Sequence, residues 1–521
     1  MTQLTGIDPN SPIPANLREF FFAQGESLSA GTSRDVIYFG NRTSAGSEPV
    51  DTLGDAIVDE DDAIARMGRR SELYAMYRVF NLIPQQATQY FIAVTESVGS
   101  AALQIFTVAG TVGESGAIQV DAQGFSLQVP IFSTDASAAV IAARLSEALN
   151  NADSGTLQFT SVVNGGVPER VDLTAAHAGP RGDELFRDAT HGVRMTILGD
   201  TAITITKGAL TPGATADDNT AALAAATQGK NEFYYHISAA TATATTNAND
   251  GGVGEHSSTI NTELSPIIGK QQTVHFGLTG THAEAQAVSN SVNLVTSFFW
   301  HAEDSDWTPA MIASHNCAVM RAAEIAHPGA NIAGYINGTG TPYFMPAAVL
   351  AADVPTDTQL TQDLNNGISP IDYQGPGRKP FIVRVVTGLH LNATGEEEFR
   401  ARPGHIPSVI FFMWEQFRQQ YNVEKQDFVG RDPKDNELPK PNTTAPDNIR
   451  SIFRSLVEEG ISGKPFGLYD GPILNDLDEQ KMLDSIEVDI INGGFGGKVD
   501  WSPVIHNYFM RSKHRQIGPA Y

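Results

Sequence analysis

The sequence predicts an α/β protein whose sheet-forming segments are interrupted by a β-rich insertion and followed by an α+β C-terminal region. Three observations carry this prediction. Short unbroken apolar runs alternate with amphipathic stretches on both sides of residues 99–213. The middle stretch has a different texture, with Gly, Thr and Ser punctuating short alternating runs. A length of 521 residues exceeds one ordinary core and favours about three domains.

From Ile7 to Leu17 the chain carries three prolines and no periodicity, so residues 1–25 read as an extended arm. Val36, Ile37, Tyr38 and Phe39 then form an unbroken apolar run, the pattern of a parallel strand covered on both faces. Asp59 to Phe80 reads as helical, with Ile64, Met67, Leu73, Met76 and Val79 at helical spacing and Gly68 as a break. Tyr90 to Val94 is a second buried strand.

Within residues 99–213 the runs IFTVAG, AIQVDA, FSLQVPIF, LQFTSVVNGG, RVDLTA and TAITITKG read as strands. In FSLQVPIF, Phe125, Leu127 and Val129 share one face while Ser126 and Gln128 take the other. One amphipathic helix, Ala136 to Leu149, is expected here, capped by Ser133 or Asp135. The tract TPGATADDNTAALAAATQG is an exit linker leading into a helix.

The α/β alternation then resumes with strands FYYHIS, VHFGL, NLVTSFFW and NIAGYI and helices His282 to Ser289 and Pro309 to Ala326. Residues 26–98 and 214–370 are therefore read as one discontinuous core, split by the insertion at 99–213. Residues 371–521 form the third region. It has a strand FIVRVVTGL, helices His405 to Tyr421 and Ile449 to Glu459, a polar loop from Val429 to Asp447, and an alternating strand SIEVDII. The amphipathic stretch KVDWSPVIHNYFMRSKHRQ follows.

Composition narrows the function. With 59 acidic against 34 basic residues the net charge is -25, which repels nucleic acid and anionic lipid. No apolar run approaches the roughly 18 residues of a membrane span, so no membrane insertion is expected. The first residues lack the pattern of a secretion signal, and the chain is expected to stay in the compartment where it is made. A single cysteine, Cys317, excludes an internal disulfide and a cysteine-rich zinc site, and its helical apolar surroundings mark it as a buried structural thiol.

The motifs that could carry chemistry are incomplete. NGGFGGKVD has Gly497 and Lys498 of a phosphate loop, but Val499 replaces the metal-binding hydroxyl and Asn492 the first glycine, so a hairpin between SIEVDII and KVDWSPVI is the better reading. The thirteen histidines offer no H-E-x-x-H motif; His275, His282 and His315 read as buried or interfacial. Asp61, Asp62 and Glu396 to Glu398 belong to solvated polar runs. SAGTS (Ser29 to Ser33) and GISP (Gly367 to Pro370) lack the geometry of a nucleophile elbow. No catalytic, cofactor-binding or metal-binding residue is assigned, and no cofactor is expected. The competing readings are a hydrolase-like enzyme on an α/β scaffold and a carbohydrate-binding surface protein using the insertion.

Several segments resemble the contractile-tail sheath proteins, most closely the branch found in Mu-type phages. SPIPANLREFFFAQ resembles that family's extended start, and DAIARMGRRSELYAMYRVF its most recognisable helix, with Gly68, Ser71, Leu73 and Met76 at the matching positions. AIQVDAQGFSLQVPIFSTDASAAVIAARLSEALN resembles its strand, turn, strand, helix unit, and VDLTAAHAGPRGDEL the following strand and Gly-rich turn. VRVVTGL resembles a strand of the sheath C-terminal domain.

The resemblance implies a non-enzymatic core of subtilisin-like topology without protease residues. It also implies hexameric rings stacked around a tail tube protein, with baseplate and tail terminator proteins as further partners. The place of action would be the virion tail, after assembly in the host cytoplasm, where contraction drives the tube through an envelope. Neighbouring subunits would be joined by terminal arms that add strands to each other's sheets. The arm residues are then Ile13, Pro14, Asn16 and Leu17 at one end and Ile486, Val488 and Ile490 at the other. The basic cluster Arg511, Lys513, His514 and Arg515 is the candidate tube-facing surface.

Overall fold

The computed structural model describes residues 35–326 and 344–499, apart from 85–86, 188–190, 200, 230, 241–251, 265–269, 349, 375–376, 393, 398–402, 426–428, 431–442, 445, 463–473, 475–477 and 492–493. The described chain opens with β1 (Val36–Gly40), helices α1 (Glu60–Met67) and α2 (Glu72–Phe80), and β2 (Gln89–Ala93). A β-rich stretch follows: β3 (Ala101–Gly110), β4 (Gly116–Ala122), β5 (Phe125–Ile131), α3 (Ala138–Asn151), β6 (Phe159–Val163), β7 (Arg170–Ala178), the single turn α4 (Asp183–Phe186), β8 (Arg194–Leu198) and β9 (Ile203–Lys207). The α/β alternation returns as α5 (Thr220–Thr227), β10 (Tyr235–Ser238), α6 (Val253–Glu263), β11 (Thr273–Leu278), α7 (His282–Val292), β12 (Ser297–His301) and α8 (Pro309–Ala326). Then come α9 (Asp357–Asn365), β13 (Ile368–Gln374) and β14 (Lys379–Ile382). The last described elements are α10 (His405–Lys425), the two-residue strands β15 (Val429–Gly430) and β16 (Thr443–Thr444), α11 (Pro446–Ser462), α12 (Glu479–Asp484), β17 (Glu487–Ile491) and β18 (Gly494–Lys498).

The main sheet has seven strands in the order β14-β13-β12-β11-β10-β1-β2, all parallel except the β13–β14 pair. Its central strands are buried on both sides because helices cover both faces. Val36 and Tyr38 of β1 pack in one cluster with Met67, Leu73, Met76 and Ile312 of α1, α2 and α8. Ile37 and Phe39, pointing the other way, meet Ala222 and Ala226 of α5. On that same side Phe276 and Phe299 meet Ile260 of α6 and Val288 of α7. The sheet continues past residue 370, since β13 and β14 are its last two strands.

The helical stretch predicted from Asp59 to Phe80 is broken at Gly68, as its sequence anticipates. Gly68 adopts φ 85° at the end of α1, and a Cβ there would sit 1.9 Å from Thr43 Oγ1. Ser71 then restarts the helix, its hydroxyl accepting from the Tyr74 N–H at 2.9 Å.

The insertion builds its own core. A four-stranded sheet (β6-β7-β3-β9) and a three-stranded sheet (β5-β4-β8) enclose Phe106, Val120, Phe159 and Leu173 together with Ile141 and Leu145 of α3. A separate C-terminal cluster joins Val409, Met413 and Phe417 of α10 to Ile449, Phe453 and Leu456 of α11, with Phe417 stacked on Phe453 at 4.2 Å. Near its start α10 meets the main sheet's surroundings through the Ser408 hydroxyl, which donates to the Glu324 carboxylate, and through Phe411, edge-on to Tyr234.

Several expectations need correction. Ser137, not Ser133 or Asp135, caps α3, without a side-chain hydrogen bond; Asp135 is committed to Arg144 instead, at 2.6 Å. FIVRVVTGL is a strand only as far as Ile382, and Val386 makes an isolated bridge to Pro403. NLVTSFFW becomes a strand only at Ser297, while NIAGYI lies outside the described residues. The hairpin after SIEVDII exists, but its return strand is the Gly-rich run itself, Gly494–Lys498, pairing Glu487 with Lys498.

Candidate functional site

Strand order in the main sheet reverses between β1 and β10, because the chain first moves outward to β2 and later returns to the opposite side of β1. In open α/β sheets the crevice beyond the carboxyl ends at such a reversal is where ligands bind. Here the chain fills it with its own polar groups. Arg181, from the turn after β7, donates through Nη1 to Glu72 Oε2 at 2.8 Å and places Nε 3.6 Å from Asp217 Oδ2. Asn41, the residue after β1, donates through Nδ2 to the same Asp217 oxygen at 2.7 Å, and its N–H to Glu72 Oε2 at 3.2 Å. The Ser97 N–H reaches Asp217 Oδ1 at 2.6 Å.

This junction is buried, which sets its chemistry. Burial drives the Glu72 carboxyl above its ordinary range, and the Arg181 guanidinium and the Asn41 N–H pull against that. For Arg181 burial acts downward, but Glu72 and Asp217 outweigh it and hold the guanidinium above its usual value. His177 Nε2 accepts from the Glu72 N–H at 3.1 Å, so this nitrogen carries no proton. Burial, reinforced by Arg181, lowers His177 to about 4. The residues come from the core (Asn41, Glu72), the inserted module (His177, Arg181) and its exit (Asp217), so the cluster fixes the module to the sheet.

Further ties extend the same contact. Arg70, between α1 and α2, donates to the backbone carbonyls of Asn150 at 2.7 Å and Phe159 at 2.5 Å. Arg194 of β8 makes a bidentate pair with Asp306 at 2.5 and 2.9 Å. Such planar pairs orient as well as attract.

A second polar centre lies at the carboxyl ends of β11 and β12. His282, the first residue of α7, donates through Nδ1 to Asp363 Oδ2 at 2.7 Å. His301, the last of β12, donates through Nδ1 to the same oxygen at 2.8 Å and through Nε2 to the Gly280 carbonyl at 2.8 Å. Gln286 Nε2 donates to Asp363 Oδ1 at 3.0 Å, and Glu303 Oε2 lies 3.1 Å from His282 Nε2. His301 and Asp363 are almost fully buried. Burial alone would raise Asp363, but the hydrogen bonds from His282 and His301 bring it down to about 2. For His301 the downward push of burial is overcome by Asp363. Sequence reading missed this centre because Asp363 stands 81 and 62 positions from its two imidazoles, far beyond any helical spacing.

The residues singled out from sequence fall differently. Ile13, Pro14, Asn16, Leu17, Arg511, Lys513, His514 and Arg515 lie outside the described residues. Val488 is buried in the C-terminal cluster and Ile486 packs against it; Ile490 pairs with Phe495 in the β17–β18 ladder. Cys317 is fully buried in the main core, which pushes its thiol well up. His275 stacks on Phe298 with ring centres 4.9 Å apart and accepts from Trp300 Nε1 at 3.2 Å. Ser369 of GISP is buried, its hydroxyl donating to the Val386 carbonyl at 3.1 Å.

No known family model matches the chain, and neither does any curated protein. Among solved structures it has a likeness to a sheath tail protein of Listeria innocua, with 11% identity over 91% of this chain and 93% of that one and a TM-score of 0.45. A likeness this faint does not place the chain in a family.

Proposed function

We propose that this protein is a structural subunit of a contractile phage-type tail sheath, polymerising as stacked hexameric rings around a tail tube and contracting without nucleotide to drive the tube through an envelope. The observation that carries the reading is the segment Gly116–Asn151. It folds as β4, a tight turn at Gln123 (φ 52°) and Gly124 (φ 77°), β5 and α3. That is the strand, turn, strand, helix order that the sequence resemblance assigns to the sheath family's inserted unit. It sits within a module that interrupts the main sheet between β2 and β10. In this reading residues 1–25 are the arm, 26–98 and 214–370 the core, 99–213 the insertion, and 371–521 the C-terminal domain, which lends β14 and most of β13 to the core's sheet.

A polymer under mechanical load needs its modules to move as one body. The buried Glu72–Arg181–Asp217 junction supports this by occupying the crevice that a doubly wound enzyme keeps for a ligand. Electron microscopy of the purified protein at high concentration tests the reading. Rings or tubes are expected, and a discrete monomer or dimer showing turnover on ester, peptide or glycoside substrates would replace it with an enzyme.

A further inference from the structure

We propose that His282, His301 and Asp363 form a binding site for a divalent transition metal of the zinc class. One ligating atom from each residue lies within 4.8 Å of the other two. The inward atoms are Nδ1 of both imidazoles and Oδ2 of Asp363, held at 2.7 and 2.8 Å. Two imidazoles and a carboxylate make a donor set that suits zinc and its neighbours and leaves one tetrahedral position for a water.

The outward atoms strengthen the case. A metal-bound histidine characteristically passes its other N–H to a carbonyl or carboxylate, and a ligating carboxylate is itself hydrogen-bonded. His301 Nε2 meets the Gly280 carbonyl at 2.8 Å, His282 Nε2 faces Glu303 at 3.1 Å, and Gln286 holds Asp363 Oδ1 at 3.0 Å. His301 and Asp363 therefore each have an outer hydrogen-bond partner, and His282 has the Glu303 carboxylate within reach.

The arrangement of the rings points the same way. Both imidazoles turn Nδ1 toward the one oxygen Asp363 Oδ2, with ring centres 4.6 Å apart. His282 Nε2 is buried and makes no hydrogen bond, although Glu303 Oε2 stands 3.1 Å away. One divalent ion between the inward atoms would draw both imidazoles and the carboxylate onto a single centre. A tetrahedral ion with bonds of about 2.0–2.1 Å sets its ligand atoms about 3.3 Å apart, so the trio opens by about half an ångström. A second cluster, His191, Asp304 and Asp353, differs: the Arg187 guanidinium stands 3.5 Å from Asp304 and opposes a cation there.

The full-length, untagged chain, stripped with chelator and titrated with Co²⁺ and then Zn²⁺, tests the site. The expected result is one Co²⁺ per chain, with the visible absorption of a four-coordinate ion, displaced by Zn²⁺ and accompanied by a higher melting temperature. His282→Gln, His301→Gln and Asp363→Asn should each abolish the spectrum, and Glu303→Gln should weaken affinity about 10–100-fold. Failure of the wild-type chain to take up a stoichiometric ion overturns the proposal, as does uptake unchanged by these substitutions. Should the ligand variants fail to fold, the wild-type spectrum and the Glu303→Gln affinity decide it.

Discussion

Arg181 of the inserted module and Glu72 of the core helix α2 form an ion pair of 2.8 Å, with both side chains about nine-tenths buried, at the point where strand order reverses in the main sheet. Glu72 lies in a helix of the core and Arg181 in the turn after β7, and neither charge has ready access to water. The pair therefore couples two separately cored modules at high stakes: removing one partner leaves the other charged and dry.

Breaking the pair should cost more than replacing it. Arg181→Met or Glu72→Leu alone is expected to destabilise the protein by about 3–5 kcal/mol, whereas the two changes together should recover much of that loss. Urea denaturation of the four proteins in a double-mutant cycle measures it. Additive losses would mean that the residues act independently.

Stability should fall as the medium is acidified from pH 6.5 to pH 4. His177 and His315 sit at about 4, and His256 and His275 at about 3, chiefly through burial. Their folded values lie below the unfolded value of about 6.5, so in this window the unfolded chain binds protons that the folded chain refuses, and each such histidine takes away about 3 kcal/mol or more. Below the folded values the effect levels off. Unfolding free energies from pH 7.5 to 4.5 should show this slope, and His315→Gln should make it shallower; a flat profile contradicts the buried neutral histidines.

Gly277 of β11 marks where α8 lies against the sheet. A Cβ there would stand 1.8 Å from the Pro309 carbonyl oxygen, a backbone atom that cannot swing away. Gly277→Ala should push the start of α8 outward and cost about 1–3 kcal/mol, read as a lower melting temperature. An unchanged melting temperature would mean that this helix end is loosely held.

The strands buried on both faces were legible because their signal is local: Val36 to Phe39 is apolar at every position, which suits a doubly covered strand. Pro309–Ala326 was likewise readable from its own periodicity. The short strand Arg194–Leu198 was not, because its residues are only partly buried and its pairing with β4 is set across the module. Asp135 illustrates the limit for caps, since its pairing with Arg144 competed with the local capping that its position suggested. Both polar centres were invisible for one reason. Glu72 and Arg181 are 109 positions apart, and the His282–Asp363 contact is equally non-local, so only the closed sheet brings them together.

The basic cluster Arg511, Lys513, His514 and Arg515 is proposed to face the tail tube. Arg511→Glu, Lys513→Glu and Arg515→Glu together should reduce assembly on tubes while leaving self-polymerisation intact, and the defect should shrink as salt screens the charges over about 8–10 Å. Co-sedimentation with purified tubes at low and high ionic strength measures this. Unchanged binding at low salt would move the tube contact elsewhere.

Intersubunit linkage is proposed to run through donated strands, with the segment holding Ile13, Pro14, Asn16 and Leu17 as donor. Val488 is buried in its own chain's core and β17 already pairs with β18 along one edge, so β17 is proposed to receive a strand along its other edge. Pro14 lacks an N–H and restricts the donor to one productive edge. Five or six paired residues supply several hydrogen bonds of about 0.5–1.5 kcal/mol net each, and a polymer multiplies such joints through effective concentration. Deleting Met1 to Arg18 should therefore leave circular dichroism and melting temperature unchanged while abolishing tubes in electron micrographs. Normal tubes from this deletion would show that the linkage lies elsewhere, and loss of folding would make the segment part of the core.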